Sequence, residues 1–470
     1  MIKIFSIVMN YIEQIYNTKI LPKYGFNRNI INDINLLNEN NNSPKIDIDS
    51  IREQFNYPVF SIDPPKCTDA DDAFSLYEEE NKLYLAIHIA DPTHFISLQS
   101  QLWQDILDRA ITRYPSNNPP IHMLPEEIVR KSSLMTDNMS EIKRAISIIF
   151  HINKNTMLPT NDIKLKFTFI KVSKENKFTY YESSLLSNSV FNNCLEISKN
   201  LKKERSKETI GTKLSDIKYL SFNFESDNLS IERNSEKLIN MKEMIAEFAI
   251  LTNSFIGKFI ESKVEGMGVF RTCSFHNNDN NLSGEMILDK IIKDGVRGNY
   301  SEINSSHDLV GKELYCHFTS PMRRVTDCIC HYIIKCYMLN IDYPWTKEDL
   351  ELICQNVMIK NRNEKKIQFN DIKFRTIQLI SQLINDNNIK LKVKIMSYTG
   401  LFLNCIISKL IINDNEEFNI HISYTLRKRN LNIINLEEEH IIDITRVQIN
   451  DKFDEGTFEE IDNFIYTFYN

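Results

Sequence analysis

The stretch IDPPKCTDADDAFSL, residues 62–76, carries four aspartates, Asp63, Asp69, Asp71 and Asp72, within ten positions. Two are adjacent, and all repel one another. The apolar, β-prone VFSI precedes them and Ala73-Phe74 follows, so the carboxylates lie between segments that fold inward. Unpaired charge beside a buried strand is costly. The chain must therefore fold so that cations meet these carboxylates at a strand end.

Three readings compete for such a loop. A solvated acidic turn is weakened by the apolar flanks. A calcium loop counted from Asp69 needs an oxygen ligand at position five and glycine at six; Ala73 and Phe74 stand there, and flanking helices are missing. A catalytic divalent-metal site fits the residue types. Mg²⁺ takes oxygen ligands and keeps waters or phosphates in its shell. A pair of such ions can activate a water and stabilise the leaving oxygen of a phosphodiester.

The surrounding pattern is strand-rich. AFSLYEEENKLYLAIHIADP reads as a hairpin turning near Glu80-Asn81. A helix is expected over 100–112, then a proline-rich loop, then strands over 143–182. KNLKKERSKETIGTK reads as a solvated helix face or loop. The helical period is clear over 236–263, at Met244, Ile245, Phe248, Leu251, Phe255 and Phe259. Another helix is expected over 320–340, and one or two over 346–383. Asn385 to Asn388 mark a boundary, followed by short strands that suggest a small OB-type barrel. Residues 1–20 read as a helix and 27–44 as a polar linker. The expected division is thus 1–50, 51–384 and 385–470.

The chain has 470 residues, 42% of them hydrophobic, enough to bury large cores. Its net charge is −7, so a nucleic-acid partner would need local basic clusters against an acidic background. Nine cysteines without a CxxC pair read as reduced thiols of a cytoplasmic or nuclear protein, not a secreted one. No apolar run approaches the roughly 18 residues of a membrane span. MIKIFSIVMNYIEQI is too short in its apolar part for a signal peptide, and no cleavage site follows.

A second constellation is ELYCHFTSPMRRVTDCICH, residues 313–331. Ser320 suits an N-cap and Pro321 a first helical position. That reading puts Met322, Arg323 and Arg324 in the first turn, where an anion would offset the clash of the arginines with the helix dipole. Arginine is also suited to two-pronged phosphate contact. The alternative is that both arginines pair with acids elsewhere. The spacing of Cys316, His317, Cys328, Cys330 and His331 matches no usual zinc pattern.

IDPPKCTDADDA, LYLAIHIADPTHFI, MLPEE and HFTSPMRRVTD, in that order, resemble the catalytic domain of the RNase II / RNase R family, closest to its eukaryotic exosome-subunit branch. The resemblance runs from about Tyr57 to Leu339. It implies an α+β, RNB-type catalytic domain over 51–384, a mixed sheet with surrounding helices. A divergent OB-type, S1-like RNA-binding barrel would follow over 385–470. The implied activity is Mg²⁺-dependent 3′-to-5′ hydrolysis of single-stranded RNA to nucleoside 5′-monophosphates. By resemblance Asp63, Asp69, Asp71 and Asp72 bind two Mg²⁺ ions, with Asp71 and Asp72 nearest the chemistry. Arg323, and less directly Arg324, contact the RNA phosphate. Tyr114 stacks on bases near the 3′ end, while Tyr180 and Glu247 contact ribose 2′-hydroxyls, which mark RNA. Arg427, Lys428 and Arg429 in TLRKRN offer phosphate contacts. His88, Asp91 and His94 read as a structural strand end. A catalytically weak or inactive RNA-binding scaffold on the same fold is the alternative.

The resemblance departs from the family pattern at the front. Only about 55 residues precede the matched part, too few for the family's two cold-shock domains. The expectation is weaker RNA affinity, altered processivity, or a protein partner that supplies the missing surface.

Overall fold

Glu53–Gln54 (β1) and Ser61–Asp63 (β2) lead into the acidic stretch, and Asp72–Glu79 (β3) and Lys82–Ala90 (β4) leave it as the expected hairpin. Glu80 and Asn81 both take positive φ, 48° and 64°, the turn geometry whose twist matches the flanking strands. These elements belong to a computed structural model that describes residues 46, 48–114, 119–135, 141–185, 188–217, 219–225, 228–264, 266–276, 281–399, 402–427, 438–449 and 466–469. The helix expected over 1–20 and the linker over 27–44 lie outside the described residues, as do Lys428 and Arg429.

Ser100 caps Gln101–Arg109 (α1) by accepting from the Trp103 N–H, and Glu126–Ser132 (α2) follows. Lys143–Asn153 (β5), Leu158–Ile170 (β6) and Lys177–Thr179 (β7) are the expected strands. Strand does not continue to 182 as the sequence suggested. The Glu182 carboxylate accepts from the Thr179 N–H at 2.8 Å, and the Thr179 hydroxyl accepts from the Glu182 N–H at 3.2 Å. That reciprocal cap starts a helix, Tyr180–Leu185 (α3).

The charged stretch lies on Ser189–Glu208 (α4) and the 3₁₀ segment after it. Phe222–Glu225 (β8) and Asn228–Ile231 (β9) form a small hairpin before Glu236–Lys263 (α5), the helix with the bounds its periodicity predicts. Phe270–Thr272 (β10), Gly284–Lys293 (α6) and Asn299–Ser301 (β11) lead to Val325–Leu339 (α7). Lys347–Leu383 (α8) is one helix of 37 residues, opened by a Thr346/Asp349 capping box. Ile389–Thr399 (β12), Phe402–Ile412 (β13), Glu416–Arg427 (β14), Glu439–Ile444 (β15), Arg446–Ile449 (β16) and Tyr466–Tyr469 (β17) complete the described chain.

The main sheet runs β1-β6-β5-β4-β3; β1 joins β6 in parallel and the rest pair antiparallel. Strands β4 and β5 are buried along most of their length, so both faces of the sheet are covered. Phe248 and Phe255 of α5 bring their rings to 5.8 Å from Phe74 and 6.0 Å from Phe150. A polar chain crosses four strands inside this apolar body. Ser75 meets His88 Nε2 at 3.1 Å, His88 Nδ1 meets Ser147 at 2.7 Å, and Ser147 meets Thr168 at 2.6 Å. Burial pushes His88 down to about 3, which keeps it neutral.

The strand end beyond His88 is structural, as expected. Buried Asp91 accepts from Lys335 Nζ of α7 and from the Thr93 hydroxyl, at 2.8 and 2.7 Å, and also from Arg52. This ties β4 to α7. The last part of the described chain is a four-stranded antiparallel sheet, β14-β13-β12-β15, and a separate β16–β17 pair. Its apolar core takes in Ile377, Leu379 and Ile380 at the end of α8.

Candidate active site

Folding of the acidic stretch is set by two pairings. Strand β2 lies parallel to β7, with Asp63 opposite Thr179. Phe60 and Phe74 exchange backbone hydrogen bonds at 2.8 and 2.9 Å, which closes residues 61–73 into a loop. Asp63 at the end of β2 and Asp72 at the start of β3 are thereby brought together, and the Asp63 charge raises the proton affinity of Asp72. Further back, the Ala70 N–H donates to Ser133 Oγ at 3.1 Å and the Leu134 N–H donates to Ala70 O at 3.0 Å, pinning the loop centre.

Each carboxylate has its own surroundings. Asp63 accepts from the Ser61 hydroxyl. Asp69 accepts from the Tyr114 hydroxyl at 2.7 Å and lies 3.8 Å from His122. Asp71 takes the Met322 N–H on one oxygen, at 2.8 Å, and Arg323 Nε on the other, at 3.2 Å. Asp72 is the least covered of the four, and its carboxylate accepts no hydrogen bond among the described residues. Burial pushes Asp63 up to about 6, with the Asp69 charge adding to it and Ser61 opposing. Burial and the Asp63 charge push Asp72 up to about 7, against Arg323 and Arg324. Burial also holds Asp71 well above the usual carboxylate range in spite of Arg323 and the Met322 N–H. The protein alone does not neutralise this loop.

The arginine segment differs from its sequence reading. The helix starts at Val325, not at Ser320, and residues 320–324 form a tight turn in front of it. The reason is Asp327. Its carboxylate reaches back to accept the Ser320 N–H at 2.8 Å and holds Arg324 by two bonds, at 2.9 and 2.8 Å. Asp71 takes the Met322 N–H, so that donor is unavailable to an anion. Arg324 is committed to Asp327 through Nε and Nη2, and Asp327 holds it charged even against burial. Arg323 is the exposed one, with 47% of its side chain open and Nη2 donating to Ser320 Oγ at 2.9 Å.

Two further sets of hydrogen bonds fix the turn. The Asn253 side-chain oxygen Oδ1 on α5 accepts from the Phe318 and Thr319 N–H groups at 2.9 and 3.2 Å. Thr112 N–H donates to Arg323 O at 3.0 Å and Val325 N–H to Ala110 O at 2.9 Å. Ala110 ends α1 with φ 61°, a sterically strained conformation for a residue with a Cβ. This stitching carries Tyr114 to Asp69; the tyrosine remains 42% exposed. Tyr180, at the start of α3, packs on the main core, and burial with the Asp72 and Asp63 charges pushes its hydroxyl up. Glu247 is buried on α5, and its carboxylate is held by Arg205 of α4. Arg427 ends β14. Asp327 and Asn253 are positioning groups that the sequence reading does not include. Asp327 had a signal in the RRVTD run; the link to Asn253 had none, since it spans more than sixty residues.

The RNB-domain family model matches residues 51–290 and 286–340. The chain belongs to the RNB family. The human exosome complex exonuclease RRP44 is 24% identical over 376 residues, which cover 68% of this chain and 38% of that protein. The chain therefore spans well under half the length of this curated RNB relative. Among solved structures, Mycoplasma genitalium RNase R in complex with ribose-methylated single-stranded RNA superposes with a TM-score of 0.68 at 13% identity. The match covers 95% of this chain and 76% of that one. Yeast Ssd1, a pseudonuclease, superposes with a TM-score of 0.61 at 16% identity, over 86% of this chain and 54% of that one. At these identities the superpositions establish the RNB fold.

RNB exoribonucleases are in general divalent-metal dependent. Among the described residues, no three His, Cys, Asp or Glu side chains already converge as a ligand set. The donor chemistry nonetheless fits a hard cation. The four groups offer oxygen only, and three of them are raised by burial together with like charge.

Proposed function

We propose that this chain is a Mg²⁺-dependent 3′-to-5′ exoribonuclease that hydrolyses single-stranded RNA to nucleoside 5′-monophosphates by a two-metal mechanism. The observation that carries the reading is the acidic loop faced by an exposed arginine and flanked by two tyrosines. Asp63, Asp69, Asp71 and Asp72 would hold the ions. When bound, these supply a water of lowered pKa and positive charge at the leaving 3′ oxygen.

The protein's own groups do the rest. Asp71 orients Arg323 through Nε, and the guanidinium offsets charge that builds on the phosphate in the transition state. The open face of Tyr114 offers a stacking platform while its hydroxyl steadies Asp69. Tyr180 lies near enough to Asp72 and Asp63 to feel both charges, and its ring helps exclude water there. Contacts to phosphate, ribose and base faces leave sequence unread, so cutting is sequence-independent. The C-terminal strands support an OB-type, S1-like RNA-binding unit over 385–470, with Arg427, Lys428 and Arg429 as its phosphate contacts. A cytoplasmic or nuclear setting and a protein partner that completes the RNA grip belong to the same proposal.

A second reading, a catalytically weak or inactive RNA-binding scaffold, is favoured by the fold likeness to a pseudonuclease. The deciding assay uses 5′-labelled single-stranded RNA, free or blocked at its 3′ end, with Mg²⁺ or EDTA. The nuclease reading expects decay of the free RNA to a short end product, stopped by EDTA and by the 3′ block. RNA binding without Mg²⁺-dependent decay selects the scaffold.

A further inference from the structure

Arg271 of β10, Arg297 before β11, and Arg362 and Lys365 of α8 line one cavity of about 470 Å³. No Asp or Glu lines it, and none of the four cations has an acidic partner among the described residues. The crowding is felt by Lys365, which burial, Arg271 and Arg297 hold below the ordinary lysine range. Four cations gathered without a carboxylate are unfavourable until an anion joins them.

The cavity is built and not a chance of long side chains. Arg271 lies over the Tyr300 ring at 4.7 Å, and its N–H donates to Tyr315 O at 2.7 Å. Its guanidinium rests against Gly298, where a Cβ would come within 2.5 Å of Nη2. Phe369 on α8 adds an aromatic ring, 37% exposed. A larger cavity of about 990 Å³ beside α4 is also lysine-rich, but acids such as Asp216 and Glu243 line it too. There Lys202 pairs with Glu243 at 2.9 Å, so that groove is compensated from within.

Guanidinium forks match phosphate oxygens, and an exposed ring accepts the face of any base. The volume is within the usual range of small-ligand sites, about 300–1,000 Å³. We propose that this cavity is a second ligand site, separate from the acidic loop, that binds the phosphate of a nucleotide with its base against Phe369. Glu364, next to Lys365 on α8, pairs with Arg113 at 2.8 Å, one residue before Tyr114, so the helix that carries part of the cavity is tied to the segment that carries Tyr114. The choice of a nucleotide among phosphates rests on the nuclease reading. The source is either a free mononucleotide or a nucleotide unit of an RNA strand.

The test titrates the full chain in EDTA with adenosine monophosphate, inorganic phosphate and a short single-stranded oligoribonucleotide. The variant is Arg297→Glu with Arg362→Glu, both at exposed positions. Its control is Lys199→Glu with Lys203→Glu, exposed on α4. The proposal expects the double arginine variant to lose about tenfold or more in affinity, and the control to match wild type. Loss for adenosine monophosphate identifies a free nucleotide; loss for the oligonucleotide alone identifies a strand unit. Affinities within twofold of wild type, an equal loss in the control, inorganic phosphate binding as tightly as the nucleotide, or equal competition by an oligoglutamate peptide would each overturn it. Binding in EDTA is scored apart from turnover. An inactive chain can still pass, and an active nuclease can still fail.

Discussion

Arg323 and Asp71, 252 positions apart in sequence, meet at 3.2 Å through Nε and one carboxylate oxygen. The other oxygen of Asp71 is taken by the backbone N–H of Met322, at 2.8 Å. The aspartate therefore aims the arginine while its neighbour fixes the aspartate. Arg323→Ala should lower kcat for RNA decay by about a hundredfold, the loss seen when one preorganised charge donor is removed. Because the side chain is half open, the thermal midpoint should stay near wild type. Single-turnover decay and a melting curve read the two effects separately.

The like charges of the acidic loop make a second, less obvious prediction. At pH 8 without metal, Asp72→Asn should be more stable than wild type, on the order of 2 kcal/mol, because a carboxylate raised to about 7 is removed. The sign is that of a group with a raised folded pKa: its contribution is full below about 4 and lost as pH rises through about 7. The same variant should lose RNA decay and show a smaller rise of melting temperature with added Mg²⁺. Melting in EDTA and in Mg²⁺, with a decay assay alongside, checks all three. Full activity in the variant would remove Asp72 from the ligand set.

Tyr114 separates two roles in one side chain. Tyr114→Phe keeps the ring and loses the hydrogen bond to Asp69. Tyr114→Ala loses both. If the ring stacks on a base, the alanine variant should raise KM roughly tenfold or more, while the phenylalanine variant acts mainly on kcat. Steady-state kinetics on a short oligoribonucleotide distinguish them.

Acid should weaken the fold through His88. It is buried and held down to about 3, so its contribution is full above its unfolded pKa near 6.5 and lost as pH falls toward 3. Between pH 7 and pH 4 this amounts to roughly 3 kcal/mol. His94, down to about 4 by burial, adds in the same direction. His88→Gln should flatten the fall of melting temperature below pH 6, at the cost of lower stability at pH 7.

Asp327→Ala should be among the most damaging changes. It frees Arg324 inside the protein and leaves the Ser320 N–H unpaired, a loss of about 3–5 kcal/mol for a broken buried pair. Denaturant unfolding measures it.

The hairpin at Glu80-Asn81 and the helix over 236–263 were readable because their signals are local: a turn pair and a 3.6-residue period. The acidic residues stand out in the sequence because all four fall within ten positions. The arginine turn was misread for the opposite reason. Ser320 and Pro321 make a sound local start signal, but Asp327 and Asp71 take the backbone donors that a helix start at Ser320 would leave open. A strand expected to continue through Tyr180 lost to the Thr179/Glu182 cap, a four-residue Thr-x-x-Glu signal that the sequence carries. Glu247 gave no hint of Arg205, because an ion pair across two helices leaves no pattern in either.

The hydroxyl and imidazole groups that cross the main sheet, from Ser75 through His88 and Ser147 to Thr168, act as a key for alignment. Side chains alternate faces along a strand, so a one-residue slip of β4 would swing His88 away and strand two hydroxyls in an apolar interior. Purely aliphatic strands would tolerate such a slip far better. The key thus penalises misaligned hairpins, and the point at which the chain enters the sheet at Asp72 is set by the protein's own hydrogen bonds.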